Sequence, residues 1–268
     1  MLLAVPQDVG MLVCVLFGDQ AMRLIYQPKG QAREYCPLSL NLSWQCGHGC
    51  RYCYMQQMKR FDRGRKITPE ILSDLLPGQA RAHKDSGRTI LLCFTCDPYG
   101  PALRPGLTRQ ALEILAQAGA AATVLTKSGL KATADFDILA GAGFWFGSTL
   151  CWSKDKDREY WEPHAASVES RWSAIEKAHE LGIRTWISTE PSIDPAQGLD
   201  VITRGIGLVD AFAVGTWNYS REASKLDYRR YLEKVLALAQ ENNLRLYVKD
   251  SLAVHGPVPS AYRHRLFE

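Results

Sequence analysis

Cys46, Cys50 and Cys53 stand within eight residues, in the run Cys46-Gly-His-Gly-Cys50-Arg-Tyr-Cys53-Tyr54. Thiolates are soft, deprotonated ligands that suit zinc or iron–sulfur sites. A compact loop with two glycines lets three sulfurs converge on one small object. A structural zinc site wants four protein ligands. His48 is the nearby candidate for a fourth, but its place inside the loop makes convergence hard. Three thiolates and one open position suit a catalytic cluster instead. The blander readings are three unrelated buried cysteines or an odd zinc knuckle.

Other polar residues follow apolar runs. Lys127 closes one such run, where its ammonium offers a charge and three donors to a carboxylate or ribose; the bland reading is a solvated strand-end lysine. Ser148 offers a hydroxyl beside Phe144, Trp145 and Phe146. Glu162 and Arg171 could form a charge-assisted pair that holds a loop or a ligand carboxylate, or else a surface ion pair of little worth. Cys93 and Cys96 read most simply as buried thiols. Trp145, Trp152, Trp161, Trp186 and Trp217 could stack on a base or fill the core.

These residues need a frame. Apolar runs at 37–44, 89–95, 122–126, 144–150, 185–189, 211–214 and 244–248 read as strands. Helical periodicity fills the gaps at 67–83, 107–118, 133–140, 168–181, 199–204 and 225–241. Thr68 and Pro69 open the first helix, with a break expected near Pro77; Thr108 is the expected cap of the second, and Gly182 closes the fourth. Strands alternating with helices predict an α/β fold whose parallel strands are joined by right-handed crossovers. Six or seven units are too few for a closed eight-unit barrel, so the expectation is a partial, open parallel β/α barrel of about six strand–helix units. Its active site then lies at the C-terminal ends of the strands, just after each apolar run.

The 268 residues are 46% hydrophobic and 22% charged, which excludes disorder and fibrous repeats for most of the chain. A net charge of +4 permits a nucleic-acid partner without demanding one. Eight cysteines in so long a chain, with no convincing secretion signal, favour a reducing compartment over a disulfide framework. The expected location is cytoplasmic, with no membrane span. Residues 1–21 are apolar but interrupted by Pro6, Asp8 and Gly10, and they read as a non-native or disordered extension. Met22 opens a more orderly segment and is a candidate natural start. Residues 22–268 then form one domain.

The cysteine run resembles that of the radical S-adenosylmethionine (SAM) superfamily, and Gly-His-Gly-Cys-Arg-Tyr-Cys-Tyr-Met-Gln resembles its spore photoproduct lyase-like branch. Thr95-Cys96-Asp97 is similar to that branch's Thr-Ser-Asp turn, Thr126-Lys127-Ser128 to its Thr-Lys element, Ser148 to its strand serine, and Glu162-Pro163 with Arg171 to its Glu-Pro…Arg pattern. The likeness runs from about Met22 to Ile193. It implies a 4Fe–4S cluster on Cys46, Cys50 and Cys53. It further implies SAM contacts from Tyr54, Cys96, Asp97, Lys127, Ser148, Glu162 and Arg171. The implied activity is reductive cleavage of SAM and hydrogen abstraction from a substrate, with nucleic acids or nucleosides as candidates. A flavodoxin or ferredoxin is the implied electron donor. Photoproduct lyases return a hydrogen atom from a cysteine on this strand; here Phe94 falls on that position, leaving Cys93 and Cys96 as candidate donors. The long duplex-wedging hairpin of those lyases is not recognisable, so the resemblance does not extend to their reaction. A zinc- or iron–sulfur-stabilised nucleic-acid-binding module without catalysis is the alternative, and a ferredoxin-like carrier is weaker because the motif lacks a fourth cysteine.

A chain that starts at Met22 is expected to express solubly and unfold at the same temperature as the full chain. Loss of soluble protein on truncation would make residues 1–21 an integral element.

Overall fold

The computed structural model describes residues 22–56 and 66–267, so the expected extension at 1–21 lies outside the described residues. The strands are β1 (Ile25–Tyr26), β2 (Leu38–Leu40), β3 (Ile90–Leu92), β4 (Ala122–Thr126), β5 (Trp145–Thr149), β6 (Thr185–Ser188), β7 (Ala211–Val214) and β8 (Leu246–Val248). They form one eight-stranded sheet in sequential order. β1 pairs antiparallel with β2, and every later neighbour is parallel. All the expected strands are present, so the parallel α/β reading holds with slightly more units than expected.

The crossovers are α1 (Pro69–Arg81), α2 (Leu107–Gln117), α3 (Phe136–Ala142), α4 (Asp155–Trp161), α5 (Val168–Glu180), α6 (Pro195–Arg204), α7 (Tyr228–Glu241) and the short α8 (Asp250–Ala253). Thr68 caps α1 by accepting from the Ile71 amide, and the helix runs unbroken through Pro77. Thr108 is not the cap of α2. Gly106, with φ +80°, takes that place, and Thr108 sits inside the helix and donates to the Pro98 carbonyl. The sequence reading missed α4, whose charged Asp-Lys-Asp-Arg-Glu surface hides the helical period.

Alternation along the strands sorts residues to two faces. Ile90, Leu92, Phe146, Ile187, Phe212 and Val248 pack under the helices. Leu91, Trp145, Trp186, Ala213 and Tyr247 pack on the opposite, inner face with Leu266 and Phe267. Phe267 meets Trp145 and Trp186 edge-on at 5.5 and 5.2 Å. The inner face is thus filled near the strand starts, and its open space lies toward the strand ends.

Gly147 makes that filling fit. The Trp186 indole crosses the neighbouring strand to donate to Thr123 Oγ1 at 2.9 Å. A Cβ on Gly147 would collide with that indole and sit 2.8 Å from the Val124 carbonyl oxygen. Gly147→Ala is therefore expected to destabilise the fold by about 1–3 kcal/mol in chemical denaturation. Gly141→Ala in α3 meets nothing within 4 Å and should instead stabilise by about 0.4–1 kcal/mol.

Candidate functional site

A cavity of about 870 Å³ opens at the C-terminal ends of the strands. Cys46, Cys50 and Cys53 line one side of it, on the loop that leaves β2. The loop follows its sequence. Gly47 has φ +80°, and a Cβ there would press on Pro101 and Ala102 at 2.9–3.1 Å. A Cβ on Gly100 would come within 2.7 Å of the Cys46 carbonyl oxygen, so the next strand's loop packs directly on the first cysteine.

His48 does not face the thiols. Its Nε2 lies 3.0 Å from Asp97 Oδ2 and its Nδ1 lies 3.1 Å from the His164 carbonyl. Asp97 also accepts from the Lys127 amide at 2.6 Å, Thr126 Oγ1 at 2.7 Å, the Tyr99 amide at 2.8 Å and Ser128 Oγ at 3.1 Å. Burial opposes its charge, but His48 and these donors outweigh it and lower its pKa to about 2. Asp97 touches the cavity, yet its oxygens are engaged by the protein. It holds the cysteine loop to the ends of β3 and β4.

A second anchor lies behind the loop. Tyr52, between two of the cysteines, donates to Glu162, which pairs with Arg171. Arg171 also donates to the Thr149 and Ala166 carbonyls at 2.9 and 3.0 Å. Arg171 and Glu162 are fully buried. Burial raises the Glu162 pKa, but Arg171 and Lys127 more than offset it and the net direction is down. The sequence pairing of Glu162 with Arg171 is therefore realised as loop support, and neither residue lines the cavity. Ser148 does not line it either; its hydroxyl donates to the Thr126 carbonyl at 3.3 Å inside the sheet.

Tyr54, Cys93, Cys96 and Lys127 do line it. The Tyr54 hydroxyl donates to the Phe94 carbonyl at 3.0 Å, bracing the loop against the end of β3. Lys127 Nζ stands 5.8 Å over the Tyr52 ring and has no ion pair among the described residues. Burial works against its charge, while Cys50 and Glu162 nearby keep its pKa above the ordinary lysine value. Burial pushes the Cys46 thiol up to about 11 and the Cys50 thiol up to about 12, with Lys127 opposing it in both. Metal binding by these thiols must therefore release protons.

The chemistry of the donor set fits an iron–sulfur cluster. No three His, Cys, Asp or Glu side chains among the described residues converge on a single metal ion. Three cysteines on one cavity wall supply the soft thiolate donors that an iron–sulfur cluster takes. Of the expected stacking tryptophans, Trp217 reaches the cavity, whereas Trp145, Trp152 and Trp186 are buried.

The opposite wall was not foreseen. Glu190 follows β6 and Lys249 follows β8, and they form an ion pair. Tyr35 donates to Glu190 Oε2 at 2.5 Å and Asn218 Nδ2 to its Oε1 at 2.7 Å. Lys249 Nζ lies 4.1 Å over the Tyr35 ring. The signal was available, since Glu190 and Lys249 both stand just past apolar runs, where a parallel barrel keeps its functional groups.

No protein-family model matches the chain, and no curated protein is similar to it in sequence. Its fold is similar to that of SuiB from Streptococcus suis bound to S-adenosylmethionine, with TM-score 0.63 and 17% identity over 82% of this chain and 52% of that one. SuiB alone gives TM-score 0.62 and 17% identity over 82% and 50% of the two chains. SuiB bound to its precursor peptide SuiA gives 0.63 and 17% over 81% and 49%. The chain spans about half the length of that protein. No described helix is long and apolar enough to cross a membrane.

The pKa of Asp97 sets a pH dependence. Its folded value of about 2 lies below the ordinary 3.8. The stabilisation is therefore complete above pH 4 and lost as pH falls through 2, and amounts to about 2 kcal/mol. Chemical denaturation at pH 2–6 should show a loss of stability between pH 4 and 2 that Asp97→Asn reduces by about this amount. An unchanged acid limb in Asp97→Asn would contradict the assignment.

Proposed function

We propose that the chain is a radical SAM enzyme, in which Cys46, Cys50 and Cys53 hold a 4Fe–4S cluster at the wall of the cavity. The observation that carries this reading is the set of three cysteines lining one side of a strand-end cavity, with the half-buried Lys127 on the same cavity. The SAM-bound state of SuiB, which shares the fold, supports it. When bound, such a cluster supplies the electron that splits the sulfonium C–S bond of SAM and releases a 5′-deoxyadenosyl radical.

The chain's own residues do the rest. Lys127 offers its charge to the methionine carboxylate. Tyr54 closes the cavity beside the last cysteine, where an adenine would pack. Asp97 with His48, and Glu162 with Arg171 and Tyr52, keep the loop in one geometry. Apolar walls exclude water, so a carbon radical meets substrate first. Cys93 and Cys96 are the thiols that could return a hydrogen atom. A cavity near the upper end of the roughly 300–1,000 Å³ range of small-molecule sites leaves room for a substrate between the cysteine wall and the Glu190–Lys249 wall. Nucleosides and oligonucleotides, with Trp217 as a stacking surface, and peptides, as in SuiB with SuiA, are the substrate classes to assay. A flavodoxin or ferredoxin would be the electron donor in the cytoplasm. The zinc-module alternative would have three cysteine ligands in the motif where a structural zinc site takes four.

The test is anaerobic reconstitution with iron and sulfide, reduction, and assay for 5′-deoxyadenosine. The parent should be brown and cleave SAM, and replacing any one of Cys46, Cys50 or Cys53 with Ala should abolish both. Lys127→Ala should keep its iron but bind SAM at least about tenfold more weakly, the loss of one charge-assisted contact of about 1.5–3 kcal/mol. A colourless zinc protein would overturn the proposal, and undiminished SAM affinity in Lys127→Ala would move the pocket elsewhere.

A further inference from the structure

Cys93 and Cys96 form a Cys-x-x-Cys pair at the end of β3, and both thiols line the cavity. Burial, with Cys96 beside it, pushes the Cys93 thiol well above its ordinary value, which leaves Cys96 as the thiol to ionise first. The turn between them is fastened at four of its polar groups. Asn41 Oδ1 accepts from the Phe94 amide at 2.7 Å and the Thr95 amide at 3.2 Å. Thr95 Oγ1 donates to the Ser43 carbonyl at 2.6 Å, and the Phe94 carbonyl accepts from Tyr54. The other buried cysteines outside the cysteine loop differ. Cys36 donates its thiol to the Thr89 carbonyl at 3.0 Å, and neither it nor Cys151 faces the cavity.

Two thiols three residues apart on one fastened turn, both reachable through a cavity, are arranged to react with each other rather than with separate partners. We infer that Cys93 and Cys96 are a redox-active dithiol, a site that reacts with small disulfides and closes to an internal disulfide. One thiol, as thiolate, attacks a sulfur of the small disulfide; an S–S bond forms to the protein and a small thiol leaves. The second protein thiol then displaces the other small thiol. In sum one small disulfide becomes two small thiols, and two protein thiols become one protein disulfide. The protein loses two electrons, the small disulfide gains them, and the two thiol protons pass to the products. The reduced pair presents S–H bonds to the cavity and the oxidised pair presents none. Redox state would thus decide whether a hydrogen atom can be returned to a substrate radical, a consequence that rests on the proposed function; the pairing itself does not.

The test uses the full chain and needs neither iron nor SAM, so it stands or falls separately from the radical chemistry. Reduced protein is equilibrated with mixtures of reduced and oxidised glutathione, quenched with N-ethylmaleimide and digested with trypsin. Cleavage after Arg88 and Arg109 isolates a peptide that contains Cys93 and Cys96 and no other cysteine, because Arg104 precedes a proline. The expected result is two forms only, one doubly alkylated and one unalkylated and lighter by two hydrogens. In Cys93→Ser the resolving thiol is gone, and glutathione should remain on Cys96 at a level at least about tenfold above the parent. Cys96→Ser is the counterpart if Cys93→Ser does not fold by circular dichroism. Singly alkylated or glutathionylated peptide as the main parental product, no oxidation at any mixture, or disulfides from this peptide to Cys46, Cys50 or Cys53 would overturn the inference.

Discussion

A buried carboxylate is costly unless its oxygens are engaged, and Asp97 is surrounded by donors from three segments of the chain. His48 comes from the cysteine loop, Tyr99 from the turn after β3, and Thr126, Lys127 and Ser128 from the end of β4. One side chain therefore sets where the cysteine loop sits relative to two strand ends. The Glu162–Arg171 pair fixes the same loop from behind through Tyr52. Breaking either buried pair would leave a charge without its partner, which is far more costly than removing both. The loop is held by two clamps, and its cysteines line the cavity.

The cavity that results has two chemically distinct walls. The cysteine wall carries thiols and a lysine without an ion pair among the described residues. The far wall carries Glu190, Lys249, Tyr35 and Asn218, tied to one another. Between them lie aromatic and aliphatic side chains, so charges on both walls act in a medium that screens them poorly. This separation suits a site that binds a charged small molecule at one wall and orients a second molecule from the other.

Much of this was legible in the sequence. The parallel strands were marked by apolar runs whose period and length left little choice, and the cysteine run marked the loop. Lys127 and Tyr54 were read onto the cavity, where they lie. The misses have physical causes. Ser148 sits on a strand residue whose side chain turns into the sheet, and the alternation of a fully buried strand cannot be read when both faces are apolar. Glu162 and Arg171 were read as a pair that holds either a loop or a ligand carboxylate, and they pair behind the cysteine loop; for Asp97, sequence position does not show how many protein donors engage it. Glu190 and Lys249 were overlooked although both stand at strand ends, because no neighbouring motif drew attention to them. Thr108 failed as a cap because a glycine two residues earlier could adopt the left-handed backbone that starts α2.

The central claim is that the three loop thiolates hold a cluster that keeps a coordination place open to SAM. Electron paramagnetic resonance of the anaerobically reconstituted, reduced protein tests it most directly, recorded without and then with SAM. The account predicts an iron–sulfur signal that shifts in line shape and g values when SAM is added. A protein that binds zinc in place of iron, or an iron–sulfur signal that SAM leaves unchanged, would contradict it.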